Sequence, residues 1–320
     1  MSIIKRLLQG LALLAFVGCA AAQTWPSKPV RFVVSFPPGG PLDGLARAVG
    51  QGVSPALGQP VVIDNRPGAL GTIGSESAAR SPADGYTVLV AFSGGHALTP
   101  AIMNLKFDPS KDLPPLMGVA RSELVLVTGK KNKGISLQDF LKQSRAKKDN
   151  TVGGIGTGST NHLVGERFKR TAGVQGTHVP YQGAAPLALA VMSGEVDFAV
   201  LDVGAVLTHI QAGNIVPLIV ASPKRSAFLP DVPTMQEAGF PGVIFENVYG
   251  LFLPAGVPKD VQDKLQAATA AAIESAGVKE QLNRLGLVPS VIPKAELESI
   301  IKAQAEALVP MARELNIRIE

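Results

Sequence analysis

The stretch Val30 to Val49, VRFVVSFPPGGPLDGLARAV, changes its hydrophobic period halfway along. Val30 to Phe36 is a compact apolar run rich in β-branched residues, which suits a parallel strand buried on both faces. Pro37-Pro38-Gly39-Gly40 breaks the run. From about Asp43 onward, Leu45, Ala46, Val49 and Val53 fall at helical spacing and mark the buried face of a helix. Strand, glycine turn, helix is the building unit of a layered α/β domain.

The same logic recurs downstream. Val61 to Ile63 reads as a strand, Asn65-Arg66-Pro67-Gly68 as a turn and Thr72 to Ala79 as a helix. Tyr86 to Phe92 is a third strand, after the Asp84-Gly85 turn. A second set begins with a strand at Leu124 to Thr128. It continues through a polar helix, Ser136 to Lys147, a strand, Thr151 to Ile155, and a helix, Thr160 to Thr171. Strands at Thr177 to Tyr181, Val196 to Leu201 and Ile215 to Ala221 follow, with a helix from Ala184 to Ser193. Val248 to Leu253 looks like one more strand. Beyond it, Val261, Leu265, Ala268 and Ala272 recur at helical spacing after Pro258. Leu297, Ile300, Ile301, Ala305 and Leu308 form a later stripe, which Pro310 is expected to kink or end. Both stripes are read as core packing. Domain crossings are placed near 122–126 and 244–250. Residues 23–124 and 248–320 then form a discontinuous first domain, and residues 125–247 the second.

A chain of 320 residues is long for one ordinary domain and about right for two. With 46% hydrophobic and 17% charged residues it can bury a large core and is not disordered. Thirty Lys and Arg against 25 Asp and Glu give +5, and Lys5 and Arg6 of that excess fall in the first 22 residues. So mild a basicity argues against nucleic-acid binding.

Met1 to Ala22 reads as an export signal. Lys5 and Arg6 are its positive start, Leu7 to Val17 its apolar stretch, and Ala20-Ala21-Ala22 its small residues before a cut. Cleavage there removes Cys19, the single cysteine, and with it disulfides, thiol catalysis and cysteine–zinc sites. A lipid anchor on Cys19 is the alternative, because Phe16-Val17-Gly18-Cys19 is close to a lipobox, although Phe16 is a poor first residue for one. No other apolar run approaches membrane-spanning length. The mature protein is expected to be soluble and periplasmic.

Most chemistry-bearing motifs fail. Gly154-x-Gly156-x-Gly158 is not the dinucleotide fingerprint, and neither a P-loop nor an H-E-x-x-H motif is present. His96, His162, His178 and His209 lack metal-ligand spacing, so no metal or cofactor is expected. Ala91-Phe92-Ser93-Gly94-Gly95 resembles a nucleophile elbow with Ala in place of the first Gly. Ser93, Asp202 and His209 stand in the right chain order, which leaves a serine hydrolase as an alternative. Lys130, Lys131, Lys133, Lys142, Arg145, Lys147 and Lys148 cluster against only Asp139 and Asp149. They are read as a solvated face, with a docking patch for a membrane partner as the sharper alternative.

Three places join a strand to a helix through glycine. They are Phe36-Pro37-Pro38-Gly39-Gly40 before Asp43, Gly156-Thr157-Gly158-Ser159 before His162, and Tyr181-Gln182-Gly183 before Ala184. In open α/β sheets ligands sit beyond the carboxyl ends of the strands. There the first-turn N–H groups of helices are unpaired and the helix dipole is positive. Glycine lets a guest come close to the backbone. A small anion is the natural guest, and ordinary helix capping is the alternative.

The ordered set of short motifs resembles the Bug-type solute-binding proteins, TctC-like extracytoplasmic receptors of tripartite tricarboxylate transporters. It runs from Trp25-Pro26-Ser27-Lys28-Pro29-Val30 through Phe36 to Gly40 with Asp43 and Ala46-Arg47, Asn65-Arg66-Pro67-Gly68, Ile73-Gly74 and Asp84-Gly85-Tyr86-Thr87. It continues with Gly158-Ser159, His162-Leu163, Glu166 and Val179-Pro180-Tyr181 with Gly183. It ends with Arg225-Ser226, Leu229 to Thr234, Glu237-Ala238-Gly239 and Pro254-Ala255-Gly256 with Pro258. The resemblance implies a two-domain α/β periplasmic binding protein of the type II, Venus flytrap kind, with no catalysis. It implies a small carboxylate held in an interdomain cleft, partly through bridging waters, and passed to the permease subunits of a tripartite tricarboxylate-type transporter. Carried onto this chain, the ligand-binding set is Phe36, Pro38, Gly39, Gly40, Leu42 and Asp43, with Ser93 and His96 beside them. The second domain adds Gly158, Ser159, His162, Gln182, Gly183, Ala184 and Asp202. Asp43 and Ser159 have a second reading as helix caps. Leu42 stands where a small hydroxyl residue is frequent, Leu70 replaces a usual glycine and Val248 a usual tryptophan. These departures point to a ligand with an apolar or aromatic body and one carboxylate. A ligand-sensing adaptor for a membrane sensor protein stays open as an alternative, and a monomer is expected.

Overall fold

The computed structural model describes residues 25–240, 242–243 and 245–319. The export signal at residues 1–22 and the lipid anchor at Cys19 lie outside them. The first run of elements is β1 (Val30–Val34), α1 (Pro41–Leu57), β2 (Val61–Asn65), α2 (Thr72–Ala79), β3 (Thr87–Phe92), α3 (Ser93–Ile102) and the short α4 (Pro109–Asp112). Next come β4 (Pro115–Gly129), α5 (Leu137–Ala146), β5 (Asn150–Gly154), α6 (Thr160–Ala172), β6 (Gly176–Pro180), α7 (Ala184–Ser193), β7 (Phe198–Asp202), α8 (Val203–Gln211) and β8 (Ile215–Val220). The chain closes with β9 (Glu246–Phe252), α9 (Lys259–Glu274), α10 (Ala276–Arg284), β10 (Val288–Ile292) and α11 (Lys294–Glu314).

The strands follow the order β2-β1-β3-β9-β4-β7-β5-β6, with β8 and β10 also paired to β4. β1 runs parallel to β2 and β3, and β5 runs parallel to β6 and β7, as strand–helix–strand crossovers require. The two parallel sets meet on β4. Its residues Pro115 to Glu123 pair with β9, and Leu124 to Gly129 pair with β7 and β8. One 15-residue strand thus belongs to two half-sheets, and a lobe forms on each.

The first core gathers Phe32, Leu45, Val49, Tyr249 and Leu265. On α1 the face expected from sequence, Leu45, Ala46, Val49 and Val53, is fully buried. Pro41 suits the first turn of that helix, and Gly58 closes it in a left-handed cap. A second core holds Leu124, Phe168 and Phe198, together with Leu308, Ala312 and Ile317 from the C-terminal segment. That segment therefore packs against residues of the second half as well as the first.

Some elements depart from expectation. β4 begins nine residues before the expected strand. Pro115, Gly118 and the polar Arg121-Ser122-Glu123 hide its upstream half, which β9 and β10 fix by pairing. α3 carries Gly94, Gly95 and Pro100, too poor a helix former to read in isolation. α8, α10 and β10 were also not foreseen. α11 continues past Pro310 to Glu314, so the proline does not end it. Pro310 is exposed, so the backbone bond it cannot make is lost on the water side of the helix.

Between β2 and α2 the backbone is left-handed for four residues. Gly68, Ala69, Leu70 and Gly71 have φ of 124°, 46°, 54° and 88°. For Ala69 and Leu70 this costs roughly 1–2 kcal/mol each. The turn is held by Gly71 N–H to Gly68 O at 2.9 Å and by Thr72 Oγ1 to Ala69 O at 2.8 Å.

Phe168 is fully buried and meets Phe198 and Phe240 edge-on, with centroids 6.3 and 5.6 Å away. Truncating it leaves a cavity the rigid sheet cannot fill. Phe168→Ala is expected to lower unfolding stability by about 3–5 kcal/mol, read from denaturant melts.

Candidate functional site

The carboxyl ends of β1 and β3 face those of β5 and β7 across a cleft. Phe36, Phe92 and Ile155 divide the cleft into two chambers. The first, of about 670 Å³, is walled by Leu70, Gly71 and Thr72 on one side and by Gly158, Ser159 and Thr160 on the other. The second, of about 520 Å³, lies between Pro38, Gly40 and Leu42 and the segment Gln182, Gly183 and Ala184.

Five helices bring their N-termini to these chambers without a side-chain cap. α1 starts after Gly40, α2 after Gly71, α3 after Phe92, α7 after Gly183 and α8 after Asp202, and none of these residues bonds the first turn through its side chain. Asp108 and Ser159 cap α4 and α6 beside the first chamber, and away from the cleft Ser136 and Ser275 cap α5 and α10. The other uncapped helices, α9 and α11, start at Pro258 and Pro293, and neither lines a chamber. No Lys or Arg among the described residues lines either chamber. Positive potential in the cleft therefore comes from peptide dipoles.

The residues expected at the site divide into three groups. Phe36, Pro38, Gly40, Leu42, Gln182, Gly183, Ala184 and Asp202 meet in the second chamber. Phe36, His96, Gly158 and Ser159 meet in the first. Gly39, Asp43, Ser93 and His162 line neither. Gly39 and Asp43 instead face an outer cleft together with His209. Gly39 N–H donates to Asp43 Oδ2 at 3.1 Å, Arg47 Nε to the same oxygen at 3.0 Å, and Asn65 Nδ2 to Oδ1 at 3.0 Å. Burial pushes the Asp43 carboxyl up, and those bonds outweigh it and hold it below the usual range. Asp43 ties the loop to its helix. His162 does the same in the other lobe. Its Nδ1 accepts Gly158 N–H at 3.0 Å, and its ring stacks on His178 at 3.6 Å. Ser159 caps α6 by accepting His162 N–H at 3.1 Å.

The glycines do a different job from the one expected. The amides of Gly39 and Gly158 are already engaged within the protein. A Cβ on Gly156 would stand 2.8 Å from Leu70 Cδ2, and one on Gly158 2.7 Å from Ile102 Cδ1. Here glycine lets the two halves of the cleft approach each other, not only a guest.

Ser93 is fully buried, and its hydroxyl accepts Val248 N–H at 3.1 Å. Asp202 Oδ1 accepts Asn247 Nδ2 at 2.9 Å and faces Tyr249 OH at 3.5 Å. No hydrogen bond joins Ser93, Asp202 and His209 among the described residues. Burial raises the Asp202 carboxyl, and bonds from Asn247, Asn161, Ser122 and Tyr249 offset part of the rise. His96 stacks on Phe252 at 4.1 Å, and its Nε2 lies 3.2 Å from Leu113 O. No group of three or more potential metal-binding His, Cys, Asp or Glu occurs among the described residues, and no described helix is long and apolar enough to cross a membrane. In the basic cluster, Lys131 and Lys147 pair with Asp197 at 3.5 and 2.6 Å, and the seven basic side chains are exposed.

A family model, tripartite tricarboxylate transporter family receptor (TctC), matches residues 45–317. The chain belongs to this receptor family. It is 32% identical to protein BugT of Bordetella pertussis over 317 residues, 96% of each chain. Among solved structures, MatC of Rhodopseudomonas palustris with bound malate has a TM-score of 0.82 at 28% identity, covering 90% of this chain and 99% of that one. An R. palustris protein with adipate has a TM-score of 0.86 at 32% identity, covering 92% and 99%. The fold is the two-lobed periplasmic-binding-protein fold that the resemblance implied, built from the α/β units that the strand–turn–helix pattern predicted. Residues absent from the expected set but lining the cleft are Ser35, Gly71, Thr72, Phe92, Ile155 and Asn247. Phe92 and Ile155 could have been found, because they end expected strands, where the ligand rule points.

Burial pushes His96 down to about 4 from 6.5. The unfolded chain therefore takes up this proton first. The stability tied to neutral His96, on the order of 3 kcal/mol, is complete above about pH 6.5 and is lost as pH falls toward 4. His96→Phe is expected to flatten part of a melting-temperature profile against pH, leaving the share from His178, which burial also lowers to about 4.

Proposed function

We propose that this chain is an extracytoplasmic receptor that captures a small carboxylate with an apolar body and delivers it to the permease of a tripartite tricarboxylate-type transporter. The observation that carries this reading is the set of five uncapped helix N-termini at a cleft without basic side chains. Unpaired N–H groups on a positive dipole end suit a carboxylate and little else. Each such bond contributes roughly 1.5–3 kcal/mol net. Three or four support a dissociation constant near ~1 µM, which corresponds to about −8.2 kcal/mol, before ordering costs. The malate and adipate named with two related structures are carboxylates, which agrees.

The carbon-rich wall of the second chamber, with Pro38, Leu42, Phe92 and Pro186, supports an apolar body on the ligand. A polyacid there would lose water without gaining partners. We take residues 25–124 and 248–319 as one lobe and 125–247 as the other, hinged at β4 and β9. The ligand binds one lobe's amides first, and closure adds the other's. Only that difference in contact shifts the open–closed balance.

Native mass spectrometry of the purified protein is expected to find a co-purified organic acid. Calorimetry should show binding that weakens as pH falls through the ligand's own carboxyl pKa, because the neutral acid loses the charge-assisted bonds. Equal affinity for the matching neutral amide would sink the anion reading. Ala184→Pro removes one first-turn N–H at a position where proline suits a helix. It should weaken binding about 10-fold or more while leaving the melting temperature of the ligand-free protein nearly unchanged.

A further inference from the structure

We propose that Leu70 is a specificity-determining residue of this cleft, seated in a socket at Gly156 when the lobes close, so that ligands must be apolar where they pass beneath it. The proposal rests on the receptor reading above, and it adds a residue and a selection rule to it.

Leu70 belongs to the strained left-handed turn before α2. A bulky residue stays in that conformation only where its surroundings over-determine it, and such sites cluster at ligand clamps. The surroundings here are explicit. Gly71 N–H and Thr72 Oγ1 bond back to Gly68 and Ala69, and Ser75 Oγ donates to Gly71 O at 3.0 Å. Arg66 N–H anchors the turn's entry to Val34 O at 2.8 Å. The turn thus aims one side chain outward from β1.

That side chain reaches the other lobe. Leu70 Cδ2 lies 2.8 Å from where a Cβ on Gly156 would stand, and Gly156 has φ of 114°. Any side chain at 156 would fill the space Leu70 occupies. Leu70 also packs against the second core, and it walls the first chamber beside Ile155 and Gly158. The β2–α2 turn and the β5–α6 loop come from different half-sheets, so opening the cleft withdraws Leu70 from its socket. A polar ligand group pressed against the Leu70 side chain loses water and gains no partner from that side chain.

The test measures binding of hexanoate, adipate and malate by calorimetry for the wild type, Leu70→Gly, Gly156→Ala and the double variant Leu70→Gly/Gly156→Ala. Glycine suits the left-handed φ at 70, so the first variant is expected to fold, and its melting temperature checks that. The expected result is a hexanoate-to-malate affinity ratio at least tenfold lower in Leu70→Gly than in the wild type. Gly156→Ala, strained by its φ of 114° and crowded by Leu70, should weaken all ligands in protein whose melting temperature shows it folded, and the double variant, which keeps the strain and loses the crowding, should recover at least tenfold relative to it. An unchanged ratio in folded Leu70→Gly, or additive effects in the double variant, overturns the proposal and leaves the receptor reading standing. Failure of the wild type to bind any of the three acids counts against the receptor reading, and the proposal falls with it.

Discussion

The geometry of this protein depends on β4 serving two half-sheets at once. Its pairing changes from β9 to β7 and β8 at Glu123–Leu124, within one continuous strand. Because no loop separates the halves at this point, the cleft sits at a fixed place, over the carboxyl ends of parallel strands on both sides. β9 is the second strand of the junction. Its Asn247 and Tyr249 reach Asp202 of the other half, so a buried polar cluster ties the two half-sheets at their junction. Burying a carboxylate there is expensive unless it is hydrogen-bonded, and Asn247 and Tyr249 offer neutral donors to its Oδ1.

Around that junction the protein treats its helix ends in two ways. Where Asp108, Ser136 or Ser275 starts a helix, the chain satisfies its own N–H groups. At five helix ends on the cleft it leaves them open, and Gly40, Gly71, Phe92 and Gly183 stand where a capping side chain would, while Ser159 caps α6. The loops carrying those ends are fixed from behind, by Asp43 on Gly39 and by His162 on Gly158. A site arranged this way is ordered before the ligand arrives, so little ordering entropy is lost on binding.

Much of this was legible in the sequence. Thr72–Ala79 and Ala184–Ser193 begin and end where periodicity and turn residues place them. The period change at Val30–Val49 identified the α/β unit correctly. What was illegible depends on distant partners. The upstream half of β4 is a strand because β9 and β10 pair with it, and α3 is a helix despite two glycines and a proline because it is packed against α11. At the site, the glycine turns were correctly placed at the cleft, but their amides were not all free. Whether Gly158 N–H points at a guest or at His162 Nδ1 is settled by a side chain four residues on, and residue spacing alone does not reveal it. Pro310 shows the opposite case, a strong local signal that does not end its helix because its face meets water.

That no Lys or Arg among the described residues lines either chamber has a kinetic side. Lysine and arginine would draw an acid in from a distance and would do so less well in salt. Peptide dipoles act only near contact, so arrival should be unsteered and nearly indifferent to ionic strength. Under the proposed function, discrimination among solutes then lies in how long each one stays rather than in how fast it arrives.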